Sequence, residues 1–204
     1  MKKLRFLIFL VAAVLSGATV QAQQGDLRVS LNYQWGIPTG NLKNLTSDVS
    51  PRGWSGYLSY GITNQIAVGL EVGFQDFYQK YPRQVLHAPG SDVSAVITNS
   101  IQTMPVLLKG KYTFKPEAPV QPYAALGIGG NLVQYKKYYG QFVDEHSSFG
   151  FAAQPEVGLH VPVGREKSAG LHIAAAYNYM PFKEGDADGL SHASVKAGVS
   201  IPLR

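Results

Sequence analysis

The sequence predicts an all-β protein: an eight-stranded antiparallel up-and-down transmembrane β-barrel that follows a cleaved N-terminal signal peptide. Three observations carry this. The N-terminus has the layout of an export signal. The rest of the chain alternates apolar and polar residues with a period of two. The connections between alternating segments are long and short in strict turn.

Lys2, Lys3 and Arg5 precede a continuous apolar run over 6–17, and Val20-Gln21-Ala22 follows with a small residue at the expected cleavage position. A basic start, an apolar middle and a small-residue end make a secretory signal. The run falls short of the roughly 20 residues that a spanning helix needs. Cleavage after Ala22 is therefore expected, giving a signal over 1–22 and one barrel domain over 23–204. No cysteine occurs, which excludes lipoprotein acylation, disulfides and thiolate metal sites. Three of the 18 basic residues belong to the signal, so the remainder nearly balances the 13 acidic ones. With no clustered basic patch, nucleic acid is excluded as a partner.

Eight segments alternate: 26–35, 54–62, 66–77, 101–114, 121–135, 148–161, 170–179 and 190–203. Clusters of Gly, Pro, Asn and Asp bound them, as they bound strands generally. Most reach the roughly 9–11 residues that a tilted strand needs to cross a bilayer. The connections 36–53, 78–100, 136–147 and 180–189 are long, whereas 63–65, 115–120 and 162–169 are short. Barrels of the bacterial outer membrane pair an even strand number with short periplasmic turns and longer external loops. The parity places both termini in the periplasm and all four long loops outside a diderm, Gram-negative cell.

Successive side chains on a strand point to opposite faces. Ile66, Val68, Leu70, Val72 and Phe74 oppose Ala67, Gly69, Glu71, Gly73 and Gln75, and the first and last strands divide in the same way. An eight-stranded barrel has an interior only just wide enough for side chains, so the face rich in Gly and Ala must look inward. Its few long charges, Arg28, Lys109, Lys111 and Lys196 against Glu71 and Glu156, are expected to pair in a lumen network, because unpaired charge is costly there. A soluble lipocalin-like barrel would invert the two faces.

Aromatic residues cluster near strand ends. Tyr33, Trp35, Trp54, Phe74, Tyr177 and Tyr179 stand by the long connections, joined by Phe77, Tyr135, Tyr138, Tyr139, Phe149 and Phe151. Tyr112 and Phe114 stand by the short ones, with Tyr60 and Tyr123. Two such girdles mark the two interfaces of a membrane barrel. Pro105 and Pro155 fall inside strands and cannot donate to a ladder. Each marks a bulge or the start of pairing.

Candidate chemistry is sparse. His160, His172 and His192 fall on the inward face at different heights, which reads as lumen hydrogen bonding rather than as a metal or catalytic cluster. The stretch 184–189 carries part of an Asp-x-Asp-Gly calcium loop without the distant carboxylate such a site needs. No phosphate-cradling glycine loop opens a helix. No cofactor and no metal are expected.

Tyr33-Gln-Trp-Gly-Ile-Pro-Thr-Gly40, Ala67-Val-Gly-Leu-Glu-Val-Gly73, Met104-Pro-Val-Leu-Leu-Lys-Gly-Lys-Tyr112 and Pro122-Tyr-Ala-Ala-Leu-Gly-Ile-Gly129 resemble the small outer-membrane β-barrel superfamily. OmpX, the OmpA membrane domain and PorT-like barrels belong to it. The resemblance implies a monomeric barrel in contact with outer-membrane lipid and lipopolysaccharide. It implies no enzyme, and roles in envelope structure, in adhesion or as an accessory part of an envelope or secretion complex. No peptidoglycan-binding domain is expected, and Ile201-Pro-Leu-Arg204 lacks the usual terminal aromatic. The alternative is a lipid A-modifying enzyme, because His192-Ala-Ser194 resembles part of the His-x-Ser pattern of outer-membrane deacylases. The Asn of that family after the serine is here Val195, and no acidic residue follows to orient the histidine.

Overall fold

The computed structural model describes residues 26–80, 82, 84–88, 91–95, 97–139, 142–163, 169–181, 183–184 and 187–203. The signal lies outside these residues. Eight strands form the barrel: β1 Leu27–Pro38, β2 Ser50–Gly61, β3 Ile66–Lys80, β4 Ile97–Thr113, β5 Gln121–Tyr139, β6 Phe142–Val163, β7 Ala169–Asn178 and β8 His192–Leu203. Each pairs antiparallel with the next, and β8 pairs with β1 along twelve residues to close the sheet.

All eight expected strands are present, and several are longer than the alternation suggested. β5 and β6 continue their ladder to Tyr139↔Phe142, so most of the expected loop 136–147 is strand. Its polar residues look like loop in sequence, but the backbone register continues, with Lys136 opposite Glu145 and Lys137 opposite Asp144. The second long connection holds a hairpin of Gln84–Ala88 with Ser91–Ala95, and the last holds Lys183–Glu184 with Ala187–Asp188. One helical turn, Leu42–Leu45, lies in the first.

The ladders also locate the irregularities. Between β1 and β2 the register shifts at Gln34/Gly36, and Pro51 and Arg52 on the bulged side both face outward. The Tyr33 hydroxyl donates to the Pro51 carbonyl there. At Pro105 the β3–β4 ladder skips from Val72↔Val106 to Gln75↔Thr103 with the register intact. At Pro155 the β6–β7 ladder stops at Glu156↔Ala176 and resumes at Ala153↔Tyr179, again in register. Each proline interrupts hydrogen bonding without shifting a face.

Following neighbours around the barrel shows its stagger. The Gly61 N–H donates to the Asp26 carbonyl; the path then runs through Ala67, Lys111, Ala125, Glu156, Ala176 and Ser194 to Gly36. It returns to β1 ten residues above its start. Such a stagger tilts strands by roughly 35–45°. It also decides which inward residues share a height.

The outer surface is apolar, with Leu31, Leu58, Leu70, Leu108, Leu126, Val157 and Ile173 all exposed. The inner face buries Ser55, Gln75, Asn131, Gln154 and Asn178. A water-soluble barrel would reverse this, since contiguous exposed apolar area of such extent marks a membrane or partner surface.

Candidate functional site

The lumen has three tiers. In the middle tier β3, β4, β6 and β8 each contribute one charge. Lys109 Nζ donates to Glu71 Oε2 at 2.5 Å and Glu156 Oε2 at 2.7 Å. Lys196 Nζ donates to Glu71 Oε1 at 2.6 Å, Glu156 Oε2 at 2.8 Å and Gln154 Oε1 at 2.8 Å. The Tyr123 hydroxyl donates to Glu156 Oε1 at 3.1 Å, and the Tyr57 hydroxyl to the Lys109 carbonyl at 3.3 Å. All four charges are buried. Two lysines and two glutamates sum to zero, and every carboxylate faces two ammonium groups. This is the arrangement in which buried charge is tolerable.

Four of the six expected network residues are thus brought together. Arg28 and Lys111 are not among them. Arg28 Nε pairs with Asp26 Oδ2 at 2.7 Å. Lys111 lies over the Tyr123 ring at 5.7 Å. Both sit nearer the short turns, because the stagger sets them below the glutamates.

The tier at the long-loop end is apolar. Phe77, Ile101, Leu107, Val133 and Ala152 are buried with Leu42 of the helical turn and with Met180 and Leu190 of the last connection. The Thr39 hydroxyl and the Thr39 N–H both donate to the Ser191 carbonyl, at 2.8 and 3.4 Å. Asn131 Nδ2 donates to Met180 Sδ at 3.1 Å. The first and last long connections are therefore tied together and push apolar side chains into the mouth. Sequence alternation missed these three plug residues. Leu42 and Met180 fall in expected connections that also hold other apolar residues, and Leu190 opens the last expected strand, so alternation does not single them out.

The tier at the short-turn end is a cavity of about 270 Å³ with Lys111, Tyr123, His160, His172 and Ser200 on its wall. His172 Nε2 is bonded to Asn32 Oδ1. His160 and His172 stand opposite each other in register, rings 6.4 Å apart. His192 lies in the upper tier, edge-on to Phe77 at 4.9 Å. The Ser194 hydroxyl accepts from Asn178 Nδ2 at 3.1 Å, while His192 Nδ1 lies 3.2 Å from the Leu190 carbonyl. Both side chains of the His-x-Ser pair are buried in the lumen, away from lipid. No metal-binding cluster occurs among the described residues. Of the calcium-like stretch 184–189, residues 185–186 lie outside them.

A closed eight-stranded barrel, apolar outside and filled inside, now has its place among known proteins. The family model for the outer membrane protein beta-barrel domain matches residues 7–201. The chain belongs to the outer membrane protein β-barrel family. Such a barrel is a protein of the Gram-negative outer membrane. No curated protein matches the chain. Among solved structures it is similar to Ail, the attachment invasion locus protein of Yersinia pestis, in complex with the heparin analogue sucrose octasulfate. The TM-score is 0.52 at 15% identity, over 89% of this chain and all of that one. It is also similar to Neisserial surface protein A, with a TM-score of 0.52 at 14% identity, over 88% of this chain and 97% of that one. These likenesses show the fold.

On this outer-membrane barrel, Tyr33, Trp35, Trp54, Tyr177 and Tyr179 are exposed at the long-loop end, and Tyr112 and Phe114 at the short-turn end. Phe74 is half-buried beside Trp54. Tyr33 and Trp35 meet edge to face at 4.7 Å, as do Tyr112 and Phe114 at 5.2 Å. Phe77 and Tyr123 leave the girdle that sequence gave them: strand parity turns both into the lumen, where they are buried. Tyr135 packs against the apolar plug.

Proposed function

We propose that this chain is a non-enzymatic, non-conducting barrel whose long connections face outward and serve adhesion, envelope structure or an accessory role in an envelope complex. One observation carries the reading: the lumen is closed twice, by the four-charge tier and by the apolar plug, while the same two connections that form the plug are fastened to each other above it. A scaffold with a blocked interior and braced loops offers its loops, where function usually resides. The heparin analogue in complex with Ail belongs to that protein; it supports the reading only in that a barrel of this fold can bind such a ligand. The enzyme reading gains nothing from the geometry, because a nucleophile needs its base within hydrogen-bond reach and the Ser194 hydroxyl is bonded to Asn178 instead.

Two measurements test this. In planar bilayers the purified barrel is expected to be electrically silent; steady single-channel conductance would overturn the closed-lumen reading. The chain has no cysteine, so single cysteines report sidedness cleanly. In intact cells a membrane-impermeant maleimide should label Asp48→Cys, in the first long connection, and leave Glu117→Cys, in a short turn, unlabelled. The opposite pattern would invert the orientation and remove the long connections from the cell surface.

A further inference from the structure

The cavity at the short-turn end has a chemistry that the closed-lumen reading does not use. Its floor is the neutral four-charge tier, and at its rim Arg28 is matched by Asp26 while Glu117 is exposed on a turn. Lys111 on the wall forms no ion pair among the described residues; its ammonium has the Tyr123 ring instead, at 5.7 Å. Ser200 is only 4% exposed, lines the same cavity, and its Oγ has no hydrogen-bond partner among the described residues. Gly170 sets Ser200 beside His160. A Cβ there would stand 2.1 Å from His160 Cε1, 2.5 Å from His160 Nε2 and 2.9 Å from Ser200 Oγ. The bare backbone is what lets the imidazole lie beside the serine hydroxyl.

We propose that this cavity, closed at its inner end and open at the short turns, binds a small anion carrying a carboxylate or phosphate group, with Lys111 as the charge partner and Ser200 and His160 as hydrogen-bonding groups. The argument is one of compensation. A half-buried cation without a carboxylate partner and a buried hydroxyl without a hydrogen bond, as both stand among the described residues, each carry a desolvation cost. A single anion seated against both would satisfy them together with charge-assisted hydrogen bonds. The floor supplies no competing net charge, and about 270 Å³ suits a small molecule rather than a folded domain.

Isothermal titration calorimetry on the full chain folded in detergent tests this, with inorganic phosphate and acetate as separate probes at fixed chloride. At least one should bind saturably and one to one; phosphate alone or acetate alone then identifies the group recognised. Lys111→Met should weaken binding at least tenfold. Ser200→Ala, which removes a hydroxyl that bonds to nothing described and so threatens folding little, should weaken it severalfold. Lys43→Met, exposed on the first long connection, should leave it unchanged. Heat-modifiable migration verifies folding, and if Lys111→Met fails that check Ser200→Ala decides. Absence of saturable binding to both anions, an unaltered Ser200→Ala, or equal losses in Lys43→Met and Lys111→Met would overturn the site. None of these results bears on conductance or sidedness, so the proposed function stands or falls separately.

Discussion

Lys196 is the most demanding residue in the lumen. It is 1% exposed and reaches both glutamates and Gln154. Removing one partner from a buried ionic set leaves the others uncompensated and costs about 3–5 kcal/mol, whereas replacing a whole set by apolar groups is far cheaper. Lys196→Met should therefore lower the unfolding free energy, measured by urea titration of the barrel in lipid vesicles, by about 3–5 kcal/mol, since it leaves two carboxylates to one ammonium. Adding Glu71→Gln should recover much of the loss by restoring neutrality. A double variant no more stable than the single one would show that packing, not charge balance, holds this tier. The sequence exposed the right residue types on the right face, because a period of two is read directly from residue order. It did not separate Lys109 from Lys111, which share that face. Only the stagger between strands sets one beside Glu71 and Glu156 and the other below them, and stagger depends on which residues pair.

At the level of strands, the two prolines were the places where sequence reading left the register open, and both turned out to interrupt a ladder without displacing it. Pro155 faces outward and lies two residues from Ala153, whose N–H donates to the Tyr179 carbonyl at 3.0 Å. By strand parity its own nitrogen points at β7 and has no proton to give. Pro155→Val would supply that donor and a side chain suited to the lipid face. It should raise the unfolding free energy obtained from the urea titration by about 1 kcal/mol, the usual net worth of a hydrogen bond. An unchanged or lower midpoint would mean that the gap is fixed by barrel curvature rather than by the missing N–H. The plug stayed hidden from sequence for a different reason. Leu42, Met180 and Leu190 belong to connections, and their burial follows from how two distant connections meet, not from any local period.

For the molecule as a whole, the apolar belt and its aromatic borders predict a depth in the bilayer. The only two tryptophans, Trp35 and Trp54, are both exposed at the long-loop border. Rings of this amphipathic kind settle at headgroup level. Lipids brominated near the headgroup should thus quench tryptophan fluorescence more than lipids brominated near the chain ends. The reverse order would place the border in the hydrocarbon and shift the whole barrel along its axis. Architecture was legible almost completely, since each strand announces its two faces and the connections announce their order. The activity was not, because the groups that close the lumen and line the cavity are chosen by height.

The twelve rungs between β1 and β8 also say something about how this chain comes to exist. Leu27 pairs with Leu203 and Pro38 with His192, so this ladder joins residues nearly a chain length apart. Contacts of such sequence separation demand the loss of most loop entropy before they return anything. Until they form, both outermost strands display rows of unmatched amides and carbonyls, the kind of edge that recruits other strands. A half-made barrel is therefore adhesive in its own right. The seam that seals the finished molecule thus carries the largest loop-closure cost of any ladder in the barrel.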